Sequence, residues 1–182
     1  MTATRPSLGS YAPDFELPGV DGQVHHLRRY LEQTRAVVVV FICNHCPFVR
    51  ASLERIKRLQ ADYQDQGVVV VGINPNDAEA FPEDSFDKMK VFAQEQGLTL
   101  PYLRDVTQDV ARSFSAQKTP EAFVIDSEGI LRYHGRLLND LQDTDPTVTL
   151  QLRQALDQVL AGAAVTASVE EAVGCSIKWR TY

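Results

Sequence analysis

Two apolar runs separated by a helical stretch constrain the fold of this chain most. Ala36 to Ile42 reads AVVVVFI and Val68 to Ile73 reads VVVVGI. Side chains along a strand alternate between its two faces, so an unbroken apolar run needs cover on both, as in a sheet layered between helices. Between the runs, Val49, Leu53, Ile56, Leu59 and Tyr63 recur three or four residues apart, which is one face of an α-helix. Pro47 suits the first helical position, where a missing N–H costs nothing, and Gly67 suits the stop. Strand, helix and strand with a short return make a parallel β-α-β unit, right-handed by steric preference.

The rest of the chain reads as an α/β domain around that unit. Tyr11 to Leu17 and Gln23 to Leu27 flank the turn residues Pro18-Gly19-Val20-Asp21-Gly22, which predicts an N-terminal hairpin; Leu27 to Gln33 follows as a short helix. A polar loop covers Asn74 to Asp84. Phe86, Met89, Phe92 and Ala93 mark a helix stopped by Gly97, and Tyr102 to Asp105 is extended. Thr107 is the expected cap of a short helix through Val110, Ala111 and Phe114. Ala122 to Ile125 is a strand that turns at Asp126-Ser127-Glu128-Gly129 and returns antiparallel as Ile130 to Tyr133. Leu150, Leu152, Leu156, Val159 and Leu160 make a closing amphipathic helix. A tail of little periodicity, from about 163 to 182, carries Gly174-Cys175-Ser176-Ile177-Lys178-Trp179. With no repeat and no linker, the expectation is one domain over residues 1–182.

Composition excludes several classes of partner. The net charge is -6 over 182 residues and no basic stripe is visible, so nucleic acid is not an expected partner. No apolar run approaches the roughly 20 residues that span a bilayer, and no membrane partner is expected. Met1 to Ser10 carries only Arg5 and no apolar stretch, unlike a signal peptide. The expected location is the cytoplasm. There, three cysteines do not form a structural framework, and a close pair is catalytic or metal-binding.

That pair is in Cys43-Asn44-His45-Cys46-Pro47, between the first apolar run and the helix. A helix N-terminus presents free N–H groups and a partial positive charge, both of which favour thiolate over thiol. C-x-x-C beside a β-α-β pattern reads as a thioredoxin-like redox motif. Two blander readings stand beside it. Cysteine packs well as a small apolar residue, so both thiols could be structural. Cys43, His45 and Cys46 could also hold a metal, but His25, His26 and His134 lie in other elements and no fourth ligand is apparent. No metal and no organic cofactor is expected.

The order of elements resembles the thioredoxin fold in its redoxin variety, the alkyl hydroperoxide reductase/thiol-specific antioxidant (AhpC/TSA) superfamily. Ala12-Pro13-Asp14-Phe15-x-Leu17 followed by Asp21-Gly22 is similar to the family's N-terminal hairpin. Lys118-Thr119-Pro120 before Ala122-Phe123-Val124-Ile125-Asp126 is similar to its cis-proline loop and the strand that follows. The CNHCP motif with Phe48, Asn76-Asp77, Pro82-Glu83-Asp84-Ser85-Phe86 and the Gly174–Trp179 tail resembles a subgroup of bacterial thioredoxin-family proteins. The resemblance implies a central mixed sheet flanked by helices. It also implies a thiol–disulfide oxidoreductase with a redox-active disulfide, or a thiol peroxidase with antioxidant activity. A protein or small-molecule disulfide, or a peroxide, is then the substrate, and an external thiol of thioredoxin or glutathione type is the reductant. A metal carrier or docking module on the same fold is the non-catalytic alternative.

The overlay also bears on which sulfur attacks. Laid without gaps from Phe41, the nucleophilic cysteine of thioredoxin-like reductases falls on Cys46, with Arg50 at the usual basic position and Val49 in place of the second cysteine. The peroxiredoxin overlay also selects Cys46, while Cys43 replaces a peroxide-binding threonine and Val39 a motif proline. The helix start favours a Cys46 thiolate, Arg50 one turn on adds charge, and His45 is adjacent. Cys43, nearer the strand, is expected to be more enclosed, which raises a thiol pKa. This makes Cys46 the attacking and Cys43 the resolving sulfur; the competing assignment reverses them. Asn44, His45, Pro47, Arg50, Thr119 and cis Pro120 form the expected surroundings. Cys175 is either a remote resolving thiol or a packed anchor beside Trp179.

Overall fold

A computed structural model describes residues 5–182 of the chain, so the first four residues of the Met1–Ser10 segment lie outside it. Its elements run in the order β1 (Glu16–Pro18), β2 (Val24–His26), α1 (Leu27–Gln33), β3 (Ala36–Phe41), α2 (Pro47–Tyr63), β4 (Val68–Asn74) and α3 (Phe86–Glu95). Then follow β5 (Tyr102–Arg104), α4 (Asp109–Phe114), β6 (Lys118–Thr119), β7 (Glu121–Asp126), β8 (Leu131–Gly135), α5 (Leu150–Leu160) and β9 (Cys175–Ser176). The main sheet has the order β5-β4-β3-β7-β8. Strand β3 pairs parallel with β4 and antiparallel with β7, so the expected β-α-β unit forms the centre of a mixed sheet.

Both faces of β3 are covered. Val38, Val40 and Ile42 join Val49, Leu53 and Ile56 of α2 and Leu152 and Leu156 of α5 in one core. Val37, Val39 and Phe41 join Phe15, Leu17, Leu27 and the α4 residues Val110, Ala111 and Phe114 in the other. Burying each of these Val, Leu or Phe side chains contributes about 1.5–3 kcal/mol. Helix α2 tightens into a 3-10 turn at Gln64–Gln66 and stops at Gly67, whose φ of 82° is left-handed. That backbone disfavours any residue with a Cβ, and one built there would also press on Arg35 Cγ at 3.1 Å.

The structure departs from the sequence reading in two places. Gln108, not Thr107, is the N-cap of α4, with a left-handed φ of 66°. Thr107 Oγ1 still accepts the N–H of Asp109, the first helical residue, at 3.2 Å, and the carboxylate of Asp105 accepts the Ala111 N–H at 2.9 Å, so two residues share the capping expected of Thr107 alone. The tail, which had no strand signal, pairs through β9 antiparallel to β6, with Thr119 opposite Cys175. Among the described residues no helix is long and apolar enough to cross a membrane.

Candidate active site

The two sulfurs of the CNHCP segment lie between the end of β3 and the start of α2. Cys46 is the N-cap residue of α2, in extended conformation, with Pro47 at the first helical position. Its carbonyl accepts the Arg50 N–H at 3.1 Å, the first bond of the helix. The Thr119–Pro120 peptide is cis, and Thr119 is fully buried against both cysteines. Cys46 Sγ lies 3.5 Å from the Thr119 carbonyl oxygen, and Cys43 Sγ 3.5 Å from Thr119 Oγ1. The structure thus brings Cys43, Cys46, Thr119 and Pro120 together.

Surface exposure does not separate the two cysteines, although Cys43 was expected to be the more enclosed: Cys43 is 1% and Cys46 0% exposed. Hydrogen bonding separates them. A hydrogen bond from the Cys43 thiol holds the Cys46 pKa well below the ordinary thiol value, against the opposing effect of burial. The Cys175 thiol and the backbone N–H groups of Val49 and Cys175 add to the lowering. Cys43 moves the other way. It is pushed up because its proton serves Cys46, then by burial and by the nearby Asp84 carboxylate.

Asp84 was absent from the expected site and organises the loop on the helix side. It is fully buried. Its Oδ1 accepts the Asn44 N–H at 2.7 Å and Asn74 Nδ2 at 3.2 Å. Its Oδ2 accepts Asn76 Nδ2 at 3.0 Å and lies 2.7 Å from His45 Nδ1, off the line of a good hydrogen bond. Asn44 is fixed again through its side chain, which accepts the Tyr102 hydroxyl at 2.7 Å and donates to the Glu83 carbonyl at 2.8 Å. Asn44 and His45 therefore set the path of the loop between the cysteines. The His45 ring lies parallel to that of Phe81, with centroids 6.1 Å apart.

Asn76 and Asp77, in the polar loop that follows β4, also take part in tertiary contacts. Asn76 Oδ1 accepts the Lys178 N–H at 3.0 Å, and the Asp77 N–H donates to the Lys178 carbonyl at 2.8 Å. Asp84 carried one signal in the sequence, its place in the Pro82–Phe86 segment; Asn74 and Tyr102 carried none, because a polar residue at a strand end reads as an edge. Arg50 follows Cys46 by one helical turn. Its guanidinium sits over the Phe92 ring, 5.4 Å from the centroid, in a cation–π contact.

Cys43, His45 and Asp84 present ligand atoms within 4.8 Å of one another, which supplies the acid that the sequence reading lacked for a metal. Each Asp84 oxygen already faces two donors, however, so a cation would have to displace the loop's own hydrogen bonds. Cys175, half-buried, packs against the core cluster that holds Cys46, opposite Thr119 in the β6–β9 ladder, and its own pKa is raised to about 11, first by burial. Its ladder partner Thr119 is the residue whose carbonyl lies 3.5 Å from Cys46 Sγ, while the Trp179 ring stacks under Arg112 with 5.1 Å from the guanidinium to the centroid.

A mixed sheet, a cysteine at a helix start and a cis-proline against its sulfur define a redox protein of the thioredoxin-like class. The family model described as AhpC/TSA matches residues 8–134, and the chain belongs to that family. It is 29% identical over 126 residues to the thiol-disulfide oxidoreductase ResA of Geobacillus thermodenitrificans, covering 69% of this chain and 67% of that one. It is also 29% identical over 136 residues to a Mycobacterium tuberculosis protein provisionally named a peroxiredoxin, covering 71% of this chain and 76% of that one. The crystal structure of an uncharacterized conserved protein from Geobacillus kaustophilus superposes with a TM-score of 0.90 at 41% identity, covering 97% of this chain and 94% of that one.

Proposed function

We propose that this protein is a thiol–disulfide oxidoreductase in which Cys46 attacks and Cys43 resolves. One observation carries the reading: Cys46 caps the start of α2 beside the Cys43 thiol, an arrangement that lowers the Cys46 pKa and raises that of Cys43, so Cys46 is the sulfur that ionises first. The Cys46 thiolate attacks one sulfur of a substrate disulfide. A mixed disulfide forms, and the other substrate sulfur leaves as a thiolate that takes a proton. Once Cys46 is no longer an anion, the Cys43 proton loses its partner. Cys43 gives it up, attacks Cys46 Sγ and releases the second substrate thiol. The nearby group for that proton is His45 on Asp84, within 4.8 Å of Cys43 Sγ. The result is a Cys43–Cys46 disulfide and a reduced substrate. An external reductant, either a dithiol of thioredoxin type or two monothiols of glutathione type, available in the cytoplasm where the reading places the protein, is oxidised to its disulfide and resets the pair.

The test is reduction of insulin by a dithiol donor with catalytic protein. Cys46→Ser is expected to abolish it, and activity unchanged in Cys46→Ser refutes the assignment. One observation favours a second reading, reduction of a small peroxide. Cys46 is 0% exposed with Cys175 against it, an enclosure that a peroxide enters more readily than a protein strand. Oxidation by stoichiometric hydrogen peroxide no faster than that of a free thiol removes this reading.

A further inference from the structure

The tail strand β9 lies on the edge that faces the reactive sulfur. Thr119, whose carbonyl is 3.5 Å from Cys46 Sγ, is the residue opposite Cys175 in the β6–β9 ladder. The contact is close enough to require its sequence. A Cβ on Gly174 would lie 2.1 Å from the Thr119 carbonyl oxygen, which is backbone and cannot turn aside. On the far side of Cys175, Ile177 is 3% exposed in the second core and its N–H donates to the Gln117 carbonyl at 3.0 Å. Cys175 is thus clamped from both sides, packed against the core cluster that holds Cys46 and opposite the residue whose carbonyl touches the Cys46 sulfur.

We propose that Cys175 is a second resolving thiol, delivered by the tail strand, which closes a disulfide with Cys46. The inference rests on Cys46 being the attacking sulfur. In the step proposed, Cys46 is joined to a substrate sulfur as a mixed disulfide. The Cys175 sulfur attacks Cys46 Sγ, the bond between Cys46 and the substrate breaks, and the departing substrate thiolate takes the proton that Cys175 loses. Two protein thiols are oxidised to one disulfide and the substrate disulfide is reduced to two thiols. Cys43 can then attack Cys46 in turn, which frees Cys175 and leaves the Cys43–Cys46 bond; the tail reports the intermediate state of the relay. Because the bond joins the tail to the start of α2, the oxidised protein gains a cross-link over a long loop and is expected to melt several degrees higher.

The aromatic disulfide 5,5′-dithiobis(2-nitrobenzoate), added at one equivalent to full-length Cys43→Ser protein, isolates the step. A Cys175 attack releases a second equivalent of thionitrobenzoate. It also joins tryptic peptide 36–50 to 154–178, and both effects vanish when Cys175→Ser is added. Release of a single equivalent, with the aromatic group retained on Cys46, overturns the proposal and leaves the Cys46 assignment standing. Failure of Cys46 to take up the aromatic group at all overturns both. Since Cys43 is in the core, the same peptide map is made on the unsubstituted chain quenched with acid through the time course. The Cys46–Cys175 link is expected before Cys43–Cys46, and its absence at every time point counts against the proposal equally.

Discussion

Replacing Cys43 with alanine removes the largest single cause of the low Cys46 pKa while leaving the helix start and Cys175 in place. A hydrogen bond to a charged acceptor contributes about 1.5–3 kcal/mol, and one pKa unit is about 1.4 kcal/mol, so the Cys46 pKa should rise by about 1–2 units in Cys43→Ala. Cys43→Ser, which keeps an O–H near the same sulfur, should rise less. The assay is the ultraviolet absorbance of the thiolate followed through acid and neutral pH. Cys175, raised to about 11, titrates outside that range, and Cys43 is also displaced upward, so the step observed belongs to Cys46. Cys46→Ser supplies the blank. If the Cys43→Ala curve overlays that of the unsubstituted protein, Cys43 does not hold the Cys46 anion, and the reasoning that makes it the waiting resolver fails.

Gly174→Ala should push β9 off Thr119, since its Cβ would sit 2.1 Å from a backbone oxygen; the rate of Cys46 alkylation by iodoacetamide should rise several-fold, and an unchanged rate would show that the tail does not cover the sulfur. Asp84→Asn turns one acceptor of a buried, multiply bonded carboxylate into a donor facing other donors, and should cost about 1–3 kcal/mol in urea unfolding. His134, kept neutral by burial and by Arg5 donating to its Nδ1 at 2.9 Å, has a pKa lowered from 6.5 to about 4. Between those values the unfolded chain binds a proton that the folded one refuses, so stability should fall as pH drops from 6.5 towards 4, and the urea midpoint of His134→Gln should lose part of that slope.

Much of the fold was legible because its central elements are strongly periodic. The β3 and β4 runs admit only a doubly covered sheet, and the α2 spacing with Pro47 and Gly67 marks both helix ends. The CNHCP cysteines and the Thr119–Pro120 loop were legible by resemblance to the AhpC/TSA family, and the sheet brings them together as β3 and β7 pair. Other parts were hidden because their meaning depends on distant neighbours. Arg50 has the right spacing for Cys46, but its contact with Phe92 on another helix could not be read from that spacing. Asp84 lies many residues from Asn44 and reaches it only because β4 carries the following loop back over the start of α2. The tail has neither a strand period nor a turn signal; its two-residue pairing with β6 is set by Gly174 and Ile177.

The central claim is tested most directly by trapping the covalent intermediate. A chain carrying Cys43→Ser and Cys175→Ser keeps Cys46 alone, and one carrying Cys46→Ser and Cys175→Ser keeps Cys43 alone. Each is incubated with an oxidised peptide disulfide and the adducts are mapped by mass spectrometry. A stable mixed disulfide on Cys46 in the first chain, and none on Cys43 in the second, is the expected result. An adduct on Cys43 with Cys46 unmodified would contradict it.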